Sequence, residues 1–253
     1  MLGTVQFYYF SPTGGTKKAG MIFCDGITEN VKGYDLCDRE NEPEQPESDL
    51  AVFAAPVFDG RIPGVVTDSI RRLNGRGARA VTLAVYGNRA YEDALLELNR
   101  TVEEQGFQVT ASAALIAQHS MAPEVGQGRP DDADEKEILD FARMALDKMG
   151  KNPEEQVKVP GNIPYKEGMN MPAAPISLPS CTGCGKCAKS CPTGAISVNG
   201  NAVATDTEKC ILCMACTAAC PEHARILPPP LQQAMEEKLG ALKTVRRENE
   251  FFL

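Results

Sequence analysis

Eight of the ten cysteines stand in two copies of one spacing. Cys181-x2-Cys184-x2-Cys187-x3-Cys191 is followed by Pro192, and 29 residues later Cys210-x2-Cys213-x2-Cys216-x3-Cys220 is followed by Pro221. Three thiolates in so short a loop can reach three corners of one iron–sulfur cube, while a fourth at the start of a helical turn points away from it. A structural zinc site would draw on two separated pairs, often with histidine. Disulfides need an oxidising compartment, and the N-terminus carries no basic flank or cleavage site of an export signal. The expected chemistry is therefore one-electron transfer at 4Fe-4S clusters.

Residues 178–228 resemble a bacterial-type two-cluster ferredoxin, and the resemblance implies crossed ligation. The first cluster would take Cys181, Cys184, Cys187 and Cys220. The second would take Cys210, Cys213, Cys216 and Cys191. The repeat extends past the ligands, with Ala195-Ile196 echoed by Arg225-Ile226, and implies two like halves about a pseudo-twofold axis. Small residues between the ligands, such as Gly183, Gly185 and Ala215, let backbone amides approach the sulfides.

About 50 residues cannot bury a large core, so the clusters must help hold this unit together. The other ~200 residues leave room for a second domain with a real core. The chain carries 26 Lys and Arg against 34 Asp and Glu. The imbalance is uneven: residues 1–150 have a net charge of −9, and 151–253 of +1. That balance argues against nucleic-acid binding and suits a carrier that docks basic redox partner proteins. No stretch reaches the ~20 apolar residues that span a bilayer. A cytoplasmic protein with no membrane contact is expected.

Residues 1–150 alternate strand and helix patterns, which predicts a parallel sheet with helices on both faces. Strands are expected at Val5–Phe10, Tyr34–Cys37, Leu50–Ala55, Ala80–Tyr86 and Phe107–Ala117. Helices are expected at Lys17–Asn30, Val65–Leu73, Tyr91–Gln105 and Ala133–Met149. The loop after the first strand, Ser11-Pro12-Thr13-Gly14-Gly15-Thr16, joins hydroxyls and glycine-relieved amides to a helix N-terminus, a cradle for a phosphate dianion. It lacks the lysine of a P-loop and the three glycines of a dinucleotide fold.

This loop resembles the phosphate loop of flavodoxins, Ser/Thr-x-Thr-Gly-x-Thr. The resemblance implies an α/β, doubly wound, five-stranded parallel sheet of order 2-1-3-4-5, with FMN at the switch point between strands one and three. Two further loops at that edge would then hold the flavin ring: Pro56-Val57-Phe58-Asp59-Gly60 and Gly87-Asn88-Arg89-Ala90-Tyr91. Phe58 and Tyr91 are the candidate stacking residues, with Tyr86 buried at the strand end. His119 could donate a hydrogen bond to the flavin or a substrate. Cys24 and Cys37 lack ligand spacing and are expected as buried small apolar residues.

The whole arrangement resembles the flavodoxin–ferredoxin fusion proteins of anaerobic bacteria. It implies a flavodoxin-like FMN domain over 1–150, a Pro-rich linker over 151–177, an α+β ferredoxin domain over 178–228 and a C-terminal helix and tail over 229–253. Leu231–Val245 reads as an amphipathic helix. The linker could place the clusters against the flavin of the same chain or of a partner chain in a homodimer, and the sequence leaves both open. Two functions remain. One is an electron carrier relaying single electrons between two 4Fe-4S clusters and an FMN for an anaerobic reductase or radical enzyme. The other is an FMN-dependent reductase fed by the clusters. No catalytic acid or base is evident.

Overall fold

A computed structural model of the chain describes residues 2–48, 50–151, 156–169, 171–200 and 202–253. Five parallel strands form its central sheet: β1 (Thr4–Tyr9), β2 (Asn30–Asp35), β3 (Leu50–Pro56), β4 (Arg79–Tyr86) and β5 (Gln108–Ile116). Their order is β2-β1-β3-β4-β5, the order expected. Phe7 and Tyr9 face one core while Tyr8 and Phe10 face another, because side chains alternate across a strand. Both cores are buried, which is why β1, β3, β4 and β5 read as continuous apolar runs.

Helices α1 (Gly15–Asp25) and α4 (Asp132–Lys151) cover the first face, and α2 (Gly64–Ile70) and α3 (Ala94–Glu104) the second. Phe23 of α1 meets Phe141 of α4 with ring centroids 5.5 Å apart. Helix α4 opens on Asp132, Asp134 and Glu135 and closes on Lys148 and Lys151, an arrangement that complements the helix dipole.

Residues 157–166 of the segment expected as a spacer are bound along the first domain. Val157 and Val159 pack against the sheet's cores. Asp93 accepts from the amides of Asn162 at 2.8 Å and Lys166 at 2.7 Å, and Lys166 Nζ reaches Glu92 at 2.9 Å. Residues 152–155 and 170 of that expectation lie outside the described residues.

The C-terminal half contains two antiparallel pairs, β6 (Ile176–Ser177) with β9 (Arg225–Ile226) and β7 (Ile196–Asn199) with β8 (Ala202–Thr205). Two single-turn helices, α5 (Lys186–Lys189) and α6 (Ala215–Ala218), pack on each other. The amides of Ala195 and Ala224 donate to the sulfurs of Cys191 and Cys220, each at 3.3 Å. These bonds align Ala195-Ile196 with Ala224-Arg225, correcting by one residue the echo expected with Arg225-Ile226.

The expected helix over 231–245 is shorter than predicted: α7 spans Pro229–Leu239 and gives way to a 3-10 turn at Gly240–Leu242. Beyond it the tail returns to the first domain and adds a sixth strand to the sheet, which the residue pattern does not announce. This strand, β10 (Glu250–Phe252), runs antiparallel to β5. It pairs Phe251 with Ala113 and stacks that ring on Phe141 at 4.8 Å. The edge of β5 is thereby covered, leaving the polar strand β2 at the other side, a common way of protecting a sheet.

Side chains fasten the tail in place. Arg129 forms a buried ion pair with Asp134 and donates to the Arg247 carbonyl at 2.6 Å. Asn249 donates to Asp134 at 2.9 Å and to Glu137 at 2.7 Å, and accepts from the Ile116 amide at 2.9 Å.

Candidate functional site

Loops following β1, β3, β4 and β5 meet at the carboxyl edge of the sheet around a cleft enclosing about 680 Å3, counting its open mouth. That edge, at the switch point between β1 and β3, is where open α/β sheets bind ligands.

Thr13, Gly15 and Thr16 line the cleft at the start of α1. Gly14 turns the chain in with φ 91°, a left-handed conformation that glycine adopts without strain. Ser11 is not at the cleft; its Oγ accepts from the Lys17 amide at 2.9 Å and caps the helix's first turn. Among the described residues, the amides of Gly15 and Thr16 have no protein acceptor. Lys17 lies over the Tyr9 ring and Lys18 donates to the Pro130 carbonyl at 2.6 Å, so neither lysine enters the loop. Backbone amides and threonine hydroxyls are what remain to hold an anion, and they fit the phosphate of FMN.

Pro56, Val57, Phe58, Asp59, Gly87 and His119 line the rest of the cleft. Gly87 is needed for close approach: a Cβ there would lie 2.5 Å from the His119 ring. His119 Nδ1 accepts from the amides of Met121 and Ala122, both at 3.2 Å. The ring proton therefore sits on Nε2. Burial, helped by the charge of Arg89, pushes His119 down to about 4, so it is a neutral donor at the cleft wall above that pH.

Tyr91 does not reach the cleft, which corrects the expected pair of stacking rings. Its ring packs on Tyr86 at 5.4 Å and its hydroxyl donates to Glu250 of β10 at 2.7 Å. Tyr86, buried as expected, is the tyrosine that lines the cleft. Asn88 and Arg89 are also turned away. Asn88 donates to the Val245 carbonyl at 2.7 Å and accepts from the Arg247 amide at 3.2 Å. Arg89 pairs with Glu92 at 2.8 Å. Gly60 lies beneath Glu92 and Lys166, outside the cleft lining. The tail claims Asn88 and Tyr91, and no local pattern in either loop announces it.

The cysteines gather into two cavities. One is lined by Cys181, Cys184, Cys187 and Cys220, the other by Cys191, Cys210, Cys213 and Cys216. Among the described residues, no group of three or more His, Cys, Asp or Glu side chains is placed to hold a single metal ion, as a tetrahedral zinc site would require. Burial pushes Cys213 up to about 12 and raises Cys187, Cys210 and Cys216. Two sets of four thiols, each lining its own cavity, are a donor set that fits iron–sulfur clusters. His223 is exposed, Cys24 is fully buried and Cys37 half-buried.

The two halves of the repeat differ where they face the cleft. Gly183, Gly185 and Gly194 have positive φ, and their counterparts 29 positions on, Leu212, Met214 and His223, hold φ of 52°, 64° and 50°. Left-handed backbone disfavours such side chains by about 1–2 kcal/mol per residue. Leu212 and Met214 use that strained placement to pack with Leu227, Met121 and Met169 into one apolar cluster. Leu212 and Cys213 line both the second cysteine cavity and the cleft, and Met169 and Met121 close its side. Met169 and Leu212 were not among the expected site residues, and Cys213 was expected only as a cluster ligand; they meet the cleft only when the two halves dock.

Residues 175–222 match the 4Fe-4S dicluster domain family. Over 44 residues the chain is 52% identical to a component of the ion-translocating oxidoreductase complex of Methanosarcina acetivorans, covering 17% of each protein. The match thus spans about a sixth of that relative's length. Among solved structures, oxidised flavodoxin 1 from Bacillus cereus superposes with a TM-score of 0.44 at 17% identity, covering 57% of this chain and 97% of that one. A Streptococcus pneumoniae flavodoxin gives 0.44 at 16%, covering 57% and 99%. Rubredoxin:oxygen oxidoreductase from Desulfovibrio gigas gives 0.43 at 12%, covering 60% and 37%. The chain joins an α/β domain of flavodoxin strand order to a 4Fe-4S dicluster domain, a combination suited to redox electron transfer. No described helix is long and apolar enough to cross a membrane.

Proposed function

We propose that the chain is an electron-transfer protein that relays single electrons between two 4Fe-4S clusters and an FMN, serving an anaerobic reductase or radical enzyme. The observation that carries this reading is the double placement of Cys213 and Leu212, which line a four-cysteine cavity on one side and the cleft on the other. When bound, each cluster exchanges one electron and the flavin one or two. The chain's residues supply position and shielding. Amides at Gly15 and Thr16 hold the phosphate, Phe58 lines the ring's side of the cleft, and His119 offers Nε2–H. Met121, Met169 and Leu212 exclude water from the gap between the domains. Cys181, Cys184, Cys187 and Cys220 hold the first cluster, and Cys210, Cys213, Cys216 and Cys191 the second. Partners are redox proteins, in keeping with the oxidoreductase complex to which the matched relative belongs.

The double variant Thr13→Ala with Thr16→Ala should lose FMN on gel filtration, with affinity down at least tenfold, and keep its full iron content. Equal loss of iron would defeat the division of labour between the halves. In the intact protein, partial reduction should redistribute between cluster and flavin spectra at a rate independent of protein concentration. A rate proportional to concentration would place the exchange between chains instead.

A second reading, an FMN-dependent reductase, draws support from a groove beside the cleft. It is lined by Arg61, Met171 and Ile211 among others and shares Phe58 and Met169 with the cleft, leaving a route by which a small acceptor could approach.

A further inference from the structure

Arg225 is 3% exposed and has no carboxylate partner among the described residues. Its Nη1 donates to Ser177 Oγ at 3.0 Å and its Nη2 to Thr205 Oγ1 at 2.7 Å, while Nε is buried without any hydrogen-bond partner. A guanidinium stripped of water and left without a counter-charge is heavily disfavoured, so the site requires an anion. Arg225 lines the cavity of Cys181, Cys184, Cys187 and Cys220.

Internal symmetry sharpens the point. The Ala195 and Ala224 amide–sulfur bonds put Ile196 and Arg225 in equivalent places. Ile196 lines the other cysteine cavity. One half of the repeat thus presents an apolar side chain to its cavity, and the other a buried cation.

We propose that Arg225 is a potential-setting residue for the cluster bound by Cys181, Cys184, Cys187 and Cys220, whose cavity it lines. It raises that cluster's reduction potential above the value an isoleucine would leave. Net charge and hydrogen bonds to sulfur are the levers a protein has over such a centre, and each added electron makes the anion that Arg225 faces more negative. This inference rests on the reading that both cavities hold clusters.

The test is a redox titration of anaerobically purified protein followed by EPR, comparing the native chain with Arg225→Ile and Arg225→Lys. Isoleucine, which the equivalent site already accommodates, should lower the higher cluster potential by at least a tenfold change in the reduction equilibrium, about 59 mV for one electron. Lysine should retain most of the native value. About eight irons per chain, the content of two cubanes, with potentials unchanged in Arg225→Ile would overturn the role of Arg225 alone. A native chain purified without iron would overturn the cluster reading beneath it. If Arg225→Ile fails to keep its clusters, pulsed EPR of the reduced native protein labelled with 15N-arginine decides the matter. A guanidinium nitrogen coupled to the cluster spin is expected, and its absence would end the proposal.

Discussion

Replacing Cys191 by alanine should empty the cavity shared with Cys210, Cys213 and Cys216, even though Cys191 belongs to the first cysteine motif. The cavity of Cys181, Cys184, Cys187 and Cys220 keeps all four of its thiols in that variant. Iron should fall from about eight to about four per chain, the content of one cubane. Anaerobic iron and sulfide assays give the count, and the paired variant Cys220→Ala should lose the other centre. Only the Cys191 variant removes the centre beside the cleft, so only there should flavin reduction through the clusters stop. Loss of the first centre in Cys191→Ala, with the second intact, would mean that each motif ligates its own cluster.

Asp134→Ala should cause a large loss of stability. Asp134 is fully buried, and it receives Arg129, Asn249 and the Asp131 amide at once. Removing it strands a buried guanidinium, and breaking such a pair typically costs about 3–5 kcal/mol, or roughly 10 °C in Tm for a chain of this size. The exposed pair Lys151–Asp147 offers a control, since surface pairs contribute about 0–1 kcal/mol. A calorimetric Tm for Asp134→Ala within about 2 °C of native would show that the network adds little.

The same network sets a pH dependence. Burial works against ionisation of Asp134, but Arg129, the Asp131 amide and Asn249 outweigh it and hold the carboxyl below its usual range. Asp131 is held down chiefly by Arg246. A depressed folded-state pKa means stability that is present above the ordinary carboxylate value near 3.8 and lost as pH falls below it. Asp134→Ala should therefore flatten the acid limb of the stability curve as well as lower its plateau.

Tail and cleft are joined through this network. Arg129 holds the Arg247 carbonyl, and the Arg247 amide in turn donates to Asn88, next to Gly87 at the cleft. Asn88 and Tyr91, both expected to grip a flavin, are thus gripped from behind by residues more than 150 positions away in the chain.

Much of the molecule was legible in its residues. The apolar runs of β1, β3, β4 and β5 must be buried on both faces, so they announce a covered parallel sheet. The directions of Asn88, Arg89 and Tyr91 were not legible, because each is decided by a competing partner from the tail or an adjacent charge. The strand β10 was hidden for a related reason: three residues form a strand there only because β5 offers them an unpaired edge.

Residue order alone did not place the polar second strand, expected at Tyr34–Cys37 and found at Asn30–Asp35, but it was enough for the two cysteine motifs, the four apolar strand runs and the hydroxyl- and glycine-rich turn at 11–16. Each of these depends on backbone reach within a few residues, or on the period with which side chains are buried. Folding added the facts that could not be read there: Cys213 and Leu212 face the cleft, the proline-rich segment is pinned to Asp93, and Arg225 lies buried against a cysteine cavity. These are contacts between segments far apart in the chain. They are selected by which surfaces can pack and which buried charges can find a partner, and residue spacing carries no record of either.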